Sequence, residues 1–245
     1  MSHDEGDGHF PATHWTLIQR LHSSDEAVVR RALDDLCAQY HYPLYCYLRR
    51  RGLDYHDAED ALHDFLAKLV RLDAFADADA RKGRLRSFLA TMLQRFLINW
   101  RRDRSERFRE SSLDVILLGA APEERYQQEQ FAEHDTPETL FDRKWGHELL
   151  VRVLNRLGES YAAKGKAAVF ETLQPVLQAG GSLRGHNTGA LAASLSITEG
   201  ALRVALSRLL RDYREVLDEE VLQTVDSRGA VDGEIAHLLQ AFRRE

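Results

Sequence analysis

The sequence of 245 residues is poor in the residue types that build metal and redox centres. Its only cysteines, Cys37 and Cys46, lie in helical patterns with no CxxC pair, as expected for reduced thiols. The eleven histidines include no HExxH motif and no cluster with cysteine at ligand spacing. No arrangement of Ser, His and Asp or of Cys and His indicates a nucleophilic site. We therefore expect no metal, no cofactor and no enzymatic activity.

The sequence also lacks a long apolar run and a phosphate-binding loop. No stretch approaches the roughly 18 apolar residues of a membrane helix. Residues 1–9 are acidic and His-rich, unlike a signal peptide. The glycine-rich loop GGSLRGHNT at 180–188 has no lysine where a GxxxxGK[ST] loop requires one. These absences predict a cytoplasmic protein that does not contact a membrane.

Strand-like alternation is missing over more than a few residues, whereas apolar residues recur at intervals of three and four. The sequence therefore predicts an all-α fold with two helical domains joined by an acidic linker. Pro43 is expected to break or kink a helix, and Thr136 followed by Pro137 is expected to begin one. The predicted segments are a flexible N-terminal arm at 1–9, a helical domain at 10–109, the linker at 110–135, a second helical domain at 136–225 and a C-terminal helical extension at 226–245.

Residues 54–71 predict a helix with one apolar and one acidic face. The acidic face gathers Asp57, Asp60 and Asp64, because each residue turns a helix by about 100°. Such a face suits a basic partner, although most acidic helix faces are simply solvated. The apolar face that would be buried consists of Ala58, Ala61, Leu62, Phe65 and Leu69.

The next predicted helix is rich in arginine. Between 81 and 109, ten lysines and arginines stand against two acidic residues, in a chain whose net charge is −6. A local basic surface of this kind binds phosphate even when the whole protein is acidic. Phe88 and Phe96 are expected to be core residues, so Trp100 is the better candidate for stacking on an unpaired base.

Residues 188–214 follow the order short helix, tight turn, long helix that is typical of a helix-turn-helix. Ser196 occupies the turn, where a positive φ would strain a residue other than glycine. One face of the long helix is apolar and the opposite face is polar and basic, as a recognition helix requires. That outer face is predicted to carry Glu199, Arg203, Ser207, Leu210 and Arg214, with Arg211 at its edge.

The strings DAEDALHDFLAKLVR at 57–71 and GRLRSFLATMLQRFLINWRR at 83–102 resemble region 2 of bacterial RNA polymerase sigma factors. TGALAASLSITEGALRVALSRLLRDYR at 188–214 is similar to the promoter-reading helix-turn-helix of sigma region 4. The resemblance is to the two-domain extracytoplasmic-function group and covers nearly the whole chain. FPATHW at 10–15, YPLYCYLRRRG at 42–52 and the C-terminal tail resemble a subgroup common in planctomycetes and their relatives.

The resemblance implies a factor that binds core polymerase, recognises the minus-35 and minus-10 promoter elements and opens the DNA strands. It implies as partners the β′ coiled coil and β flap of core RNA polymerase, promoter DNA, and an inhibitory or activating regulator. It assigns polymerase binding to Asp57, Asp60, His63 and Asp64. It assigns minus-10 DNA binding to Asp79, Arg81, Lys82, Arg84, Arg86, Arg95, Asn99, Trp100, Arg101 and Arg102. It assigns minus-35 DNA binding to Thr198, Glu199, Arg203, Ser207, Arg208 and Arg211.

Other interpretations remain open from the sequence. A free-standing helix-turn-helix regulator would bind duplex DNA without polymerase, and a metal-dependent nuclease would cleave nucleic acid. The acidic face at 57–64 favours the sigma interpretation over the regulator, which has no use for such a face. The linker at 110–135 is either a disordered tether or, as the resemblance implies, a segment that threads toward the polymerase active site.

Overall fold

The computed structural model describes residues 14–71, 84–104, 122–129, 131, 135–225 and 227–242. The predicted arm at 1–9 and much of the predicted linker lie outside these ranges. All regular structure in the described residues is helical, without a strand, which confirms the all-α prediction. The helices are α1 (His14–Leu21), α2 (Glu26–Arg50), α3 (Tyr55–Arg71), α4 (Leu85–Arg104), α5 (Pro122–Gln128), α6 (Pro137–Ala163), α7 (Ala167–Gln178), α8 (Thr188–Ser194), α9 (Glu199–Leu222) and α10 (Val231–Phe242), with a 3₁₀ turn at Arg228–Ala230 before α10.

The chain divides into two compact units. Unit 1 consists of Met1–Gly146 with Val221–Glu245, and unit 2 consists of His147–Glu220. The first turns of α6 and the whole of α10 therefore belong to unit 1. Within unit 1, side chains of α10 pack directly on α6 at Gly146. If Gly146 had a Cβ atom, that atom would lie 3.0 Å from the Phe242 ring. The absence of a side chain at Gly146 permits this close approach.

Helix α2 is the central element of unit 1, with a continuous buried stretch from Tyr42 to Leu48. It begins where Asp25 accepts a hydrogen bond of 2.9 Å from the Ala27 N–H. Pro43 was predicted to break or kink the helix, and the expected break is wrong, because α2 continues through a buried Pro43 to Arg50. Proline removes one intrahelical hydrogen bond, and the burial of the surrounding side chains offsets that loss.

Helices α3 and α4 pack their apolar faces into the same core. Asp54 caps α3 by accepting a 2.8 Å hydrogen bond from the Asp57 N–H. All the residues predicted for the apolar face of α3 are at most 2% exposed. The buried face of α4 follows the helical spacing closely and consists of Leu85, Leu89, Leu93 and Leu97.

Part of the predicted linker forms helix α5 and packs on α2. Arg49 donates to Glu123 at 2.6 Å, and the Tyr45 hydroxyl donates to the same carboxylate. The guanidinium of Arg125 lies 3.8 Å from the centre of the Tyr42 ring. Residues 122–128 are therefore not a free tether, because their charges are matched to partners on α2.

Unit 2 is a small helical core built from the end of α6 with α7, α8 and α9. Helix α7 spans Ala167–Gln178. Helix α6 begins at Pro137 as predicted, after Thr136 accepts a 3.1 Å hydrogen bond from the Thr139 N–H. The core contains Leu157, Tyr161, Phe170, Leu173, Val176, Leu177, Ala192, Leu202, Leu206 and Leu209. No single helix among the described residues combines the length and the apolar character that crossing a bilayer requires.

Candidate nucleic-acid interface

Helices α8 and α9 of unit 2 form a helix-turn-helix. The chain bends by 85° between them. Ser196 has φ 55°, which is the left-handed conformation that the turn demands. The Ser196 N–H donates to the Ala193 carbonyl and the Ile197 N–H to the Ala192 carbonyl, each at 3.0 Å. This pair of hydrogen bonds closes the end of α8 and directs the chain into α9.

The start of α9 is fixed by hydrogen bonds to both helices. Thr198 caps α9 by accepting from the Ala201 N–H at 3.2 Å. The Thr188 hydroxyl of α8 donates to the Glu199 carboxylate at 3.0 Å. Thr198 and Glu199, both predicted to contact DNA, therefore also hold the geometry of the motif, although both remain exposed.

The outer face of α9 is basic and open. Arg203 and Arg211 have side chains that are 65% and 66% exposed, and Ser207 and Arg208 are exposed as well. Leu210, which spacing placed on this face, is instead half-buried against the unit 2 core. An α-helix with exposed guanidinium groups on one side fits the major groove of duplex DNA.

Val204 belongs to the same outer face and was not among the predicted site residues. Its side chain is 51% exposed. Val204 lies four residues before Arg208 and seven before Arg211, so helical spacing could have placed it beside them. An exposed aliphatic group on a recognition helix can contact the methyl group of thymine.

A second basic surface lies on α4 in unit 1. Arg95, Asn99 and Arg102 are exposed and lie on one side of the helix, as their spacing of three and four predicts. Ile98 shares this side and is 67% exposed. Arg101 is also exposed, and it donates to the Arg51 carbonyl at 2.9 Å, which joins α4 to the end of α2.

A cavity of about 180 Å³ opens between α3 and α4 beside this surface. The Phe65 and Phe96 rings lie 5.6 Å apart at its apolar floor, and the Lys68 ammonium group lies 5.5 Å from the centre of the Phe96 ring. Aromatic rings next to cations and an amide are the groups that bind an unpaired nucleobase and its phosphate. The lining residues are Phe65, Lys68, Leu69, Met92, Arg95, Phe96 and Asn99.

Two residues predicted to bind DNA, Arg84 just before α4 and Arg86 in its first turn, are engaged elsewhere. Arg86 is only 2% exposed and bonds to Glu234 at 2.7 Å and to Asp142. The prediction that Arg86 contacts DNA is wrong for this structure, because its guanidinium is enclosed between α4, α6 and α10. Arg84 also pairs with Glu234, and its side chain is 33% exposed. The two carboxylates hold the pKa of Arg86 above its usual value despite the opposing effect of burial.

Trp100 is half-buried, and its indole N–H donates to the Asp64 carboxylate at 2.9 Å. This bond joins α4 to the acidic face of α3. Trp100 was predicted to stack on DNA and Asp64 to bind polymerase. This one hydrogen bond engages the indole N–H of Trp100 and a carboxylate oxygen of Asp64.

The remaining acidic face of α3 is only partly open. Asp60 is exposed and Asp57 is half-buried. The Nε2 atom of His63 is buried without a hydrogen-bond partner, so this atom is not presented to a binding partner.

Burial, and secondarily the charge of His63, lowers the pKa of His41 on the adjacent helix α2 from 6.5 to about 4.

Three predicted minus-10 contacts, Asp79, Arg81 and Lys82, lie outside the described residues.

Comparisons with protein-family models, with curated proteins and with solved structures gave no match. The assignment of function therefore depends on the geometry of the two basic surfaces and on the sequence pattern.

Proposed function

We propose that this chain is a cytoplasmic sigma factor, which binds core RNA polymerase, recognises promoter DNA and promotes strand opening at the start of transcription. The observation that carries the proposal is the presence of two basic surfaces of different shape in one chain. Helix α9 follows a turn in which Ser196 is left-handed, and its outer face carries exposed guanidinium groups. Helix α4 presents a basic face beside a ring-floored cavity.

The two surfaces suit different forms of DNA. The outer face of α9 fits the major groove of a duplex minus-35 element, where Arg203 and Arg211 can reach base edges and phosphates. The cavity at Phe65 and Phe96 is too narrow for a duplex and fits a base that has left its stack. A protein that engages duplex upstream and an unpaired base downstream performs the two tasks of promoter recognition and opening.

The proposal includes the two-domain arrangement with the acidic segment 110–135 between the DNA-binding regions. Negative charge on such a segment suits a channel built for nucleic acid. Catalysis of RNA synthesis belongs to the polymerase in this proposal, and this chain contributes specificity and strand opening. Polymerase binding is proposed for the acidic side of α3, with exposed Asp60 as the most accessible carboxylate.

The test is run-off transcription from a genomic promoter library with bacterial core polymerase, with and without the full chain. New discrete transcripts that share upstream sequence boxes would support the proposal. Asp60→Arg is expected to lose core polymerase in a pull-down, because it reverses a charge at the proposed contact. Asp35→Arg makes the same change at an exposed position of α2 and should leave binding unchanged. Wild-type protein that neither binds polymerase nor directs transcription would overturn the proposal.

One observation favours a second candidate, a free-standing helix-turn-helix regulator. Asp64 is engaged by Trp100 and the Nε2 atom of His63 is buried, which reduces the acidic face offered to polymerase. Such a regulator would bind a specific duplex with an affinity unaffected by core polymerase. Its DNA binding would depend on Arg203 and be insensitive to Arg95→Ala, since α4 would have no DNA partner.

A further inference from the structure

The turn between α6 and α7 presents two lysines on a rigid backbone. Lys164 and Lys166 are both exposed and flank Gly165, whose φ is 68°. The Lys166 N–H donates to the Tyr161 carbonyl at 2.8 Å, and the Gly165 N–H donates to Ala162 at 2.9 Å. This arrangement closes the end of α6, and the lysine side chains take no part in it. Both lysines lie at the exposed surface of the turn.

The register of α6 against α9 places this turn near the DNA-facing part of α9. Arg156 pairs with Glu219 and Glu220, and one and a half turns later in α6 the Tyr161 hydroxyl donates to Asp212 at 3.0 Å. Moving forward along α6 thus means moving backward along α9, so the helices are antiparallel. Continued past the end of α6 at Ala163, this register brings Lys164 toward the turn of α9 that carries Arg208.

Asp212 is the anchor of this arrangement. It accepts from Tyr161 at 3.0 Å through one oxygen and from Arg211 at 3.1 Å through the other. The Lys164 ammonium lies 6.0 Å from the centre of the Tyr161 ring. Burial, and then the hydrogen bond to Asp212, raise the pKa of Tyr161 to about 12. Tyr161 therefore contacts both the Lys164 ammonium group and Asp212, which is also the partner of Arg211.

The charge of α9 changes sign along its length. From 199 to 211 the helix carries Arg203, Arg208 and Arg211 against Glu199. From 212 to 220 it carries one arginine against five carboxylates. Exposed lysines in a turn are often only solvated, but these two add positive charge on the side of the arginine-bearing segment 199–211 of α9. A phosphate backbone lying along this end would meet cations from both elements.

We propose that Lys164 and Lys166 form a second DNA contact of unit 2, binding backbone phosphates of duplex DNA beside the groove that receives α9. This inference rests on the proposed function, and it adds a contact that the recognition helix does not supply. Lysine ammonium groups act as point charges, so the contact adds affinity and fixes orientation without reading sequence. Arg208 and Arg211 continue the same phosphate-binding row onto α9.

The test measures binding of the full chain to a labelled mixed-sequence 30-base-pair duplex by fluorescence anisotropy at several salt concentrations. Each phosphate contact contributes about 0.9 to the slope of log K against log salt. Lys164→Ala with Lys166→Ala should therefore reduce the slope by about 2, and equally for an unrelated duplex. Lys164→Arg with Lys166→Arg should keep the wild-type slope, because the charges remain.

Arg156→Ala is the matched control, since it removes a cation from α6, the helix before the lysine turn, at a position that faces the carboxylates of Glu219 and Glu220. Its slope should equal that of the wild type, and a melting curve confirms that each variant is folded. If the lysine-to-alanine variant keeps the wild-type slope while Arg203→Ala lowers it, the inference fails and the helix-turn-helix function stands. If the wild type itself shows no salt-dependent duplex binding, the inference and the DNA-binding part of the proposed function fail together.

Discussion

Arg86 donates from Nε to an oxygen of Glu234 across 2.7 Å, although 148 residues separate them in the sequence. Both are almost completely enclosed, at 2% and 0% exposure. Asp142 accepts from the same guanidinium, and Arg84 shares the Glu234 carboxylate. Two arginines and two carboxylates thus balance one another around the buried Arg86–Glu234 pair. The C-terminal helix α10 is held to α4 by this site, which makes it a structural part of unit 1.

Replacing Glu234 with glutamine should destabilise unit 1 strongly. The variant leaves the buried Arg86 and its neighbour Arg84 with Asp142 as the remaining charge partner. Breaking one side of a buried ion pair costs about 3 to 5 kcal/mol. Urea unfolding followed by tryptophan fluorescence measures this loss in unit 1, because all three tryptophans of the chain lie within Met1–Gly146.

Asp232→Asn provides the control for that experiment. Asp232 lies in the first turn of the same helix and is exposed, so its replacement should change the free energy of unfolding by about 1 kcal/mol or less, which is the contribution of an exposed first-turn carboxylate. Equal effects of the two substitutions would show that the Arg86 site does not hold α10 in solution.

The bond between Trp100 and Asp64 predicts a measurable coupling. Trp100→Phe removes the N–H donor and keeps an aromatic ring, while Asp64→Ala removes the acceptor. A hydrogen bond to a charged group is worth about 1.5 to 3 kcal/mol, so the double-mutant cycle in urea unfolding should give a coupling energy of at least about 1 kcal/mol. Additive effects of the two substitutions would mean that Trp100 leaves Asp64 in solution and is available to DNA.

The helical architecture could be predicted because its causes are local in the sequence. Apolar spacing of three and four identified the buried face of α3, and the Thr136 and Pro137 pair identified the start of α6. The turn at Ser196 followed from the short-helix, long-helix order. Each of these signals depends on residues that are neighbours in the sequence or lie about one helical turn apart.

The remaining features depend on contacts between distant residues. Arg86 looks like its basic neighbours in sequence, and only Glu234 and Asp142 distinguish it. Helix α5 depends on partners such as Arg49 on α2, so its acidic composition alone indicated a linker. Pro43 is tolerated because its surroundings are buried. Tertiary packing overrides local preference at each of these positions.

Ser196→Gly should stabilise unit 2. Ser196 holds φ 55°, which costs a residue with a Cβ about 1 kcal/mol or more relative to glycine. The net gain should be up to about 1 kcal/mol, because glycine also adds freedom to the unfolded chain. Ser194→Gly, at the helical end of α8, should instead lower stability. Hydrogen exchange of amides in α8 and α9 resolves the two effects, and protection that falls in both variants would contradict the strained turn.

The pKa of His41 predicts a specific acid sensitivity of unit 1. Burial, with a smaller contribution from the charge of His63, lowers this pKa from 6.5 to about 4. Between these two values the unfolded chain binds a proton that the folded chain does not, so folding stability decreases as pH falls from about 6.5 to about 4. At about 1.4 kcal/mol per pH unit, the contribution is on the order of 3 kcal/mol.

His41→Gln removes the titrating group, so its tryptophan-detected free energy of unfolding should fall less steeply over this range than that of the wild type. His147→Gln replaces an exposed imidazole of unit 2 and should leave the steep wild-type dependence in place. If His41→Gln keeps the wild-type dependence, then carboxylates cause the acid sensitivity and the buried imidazole does not contribute to it.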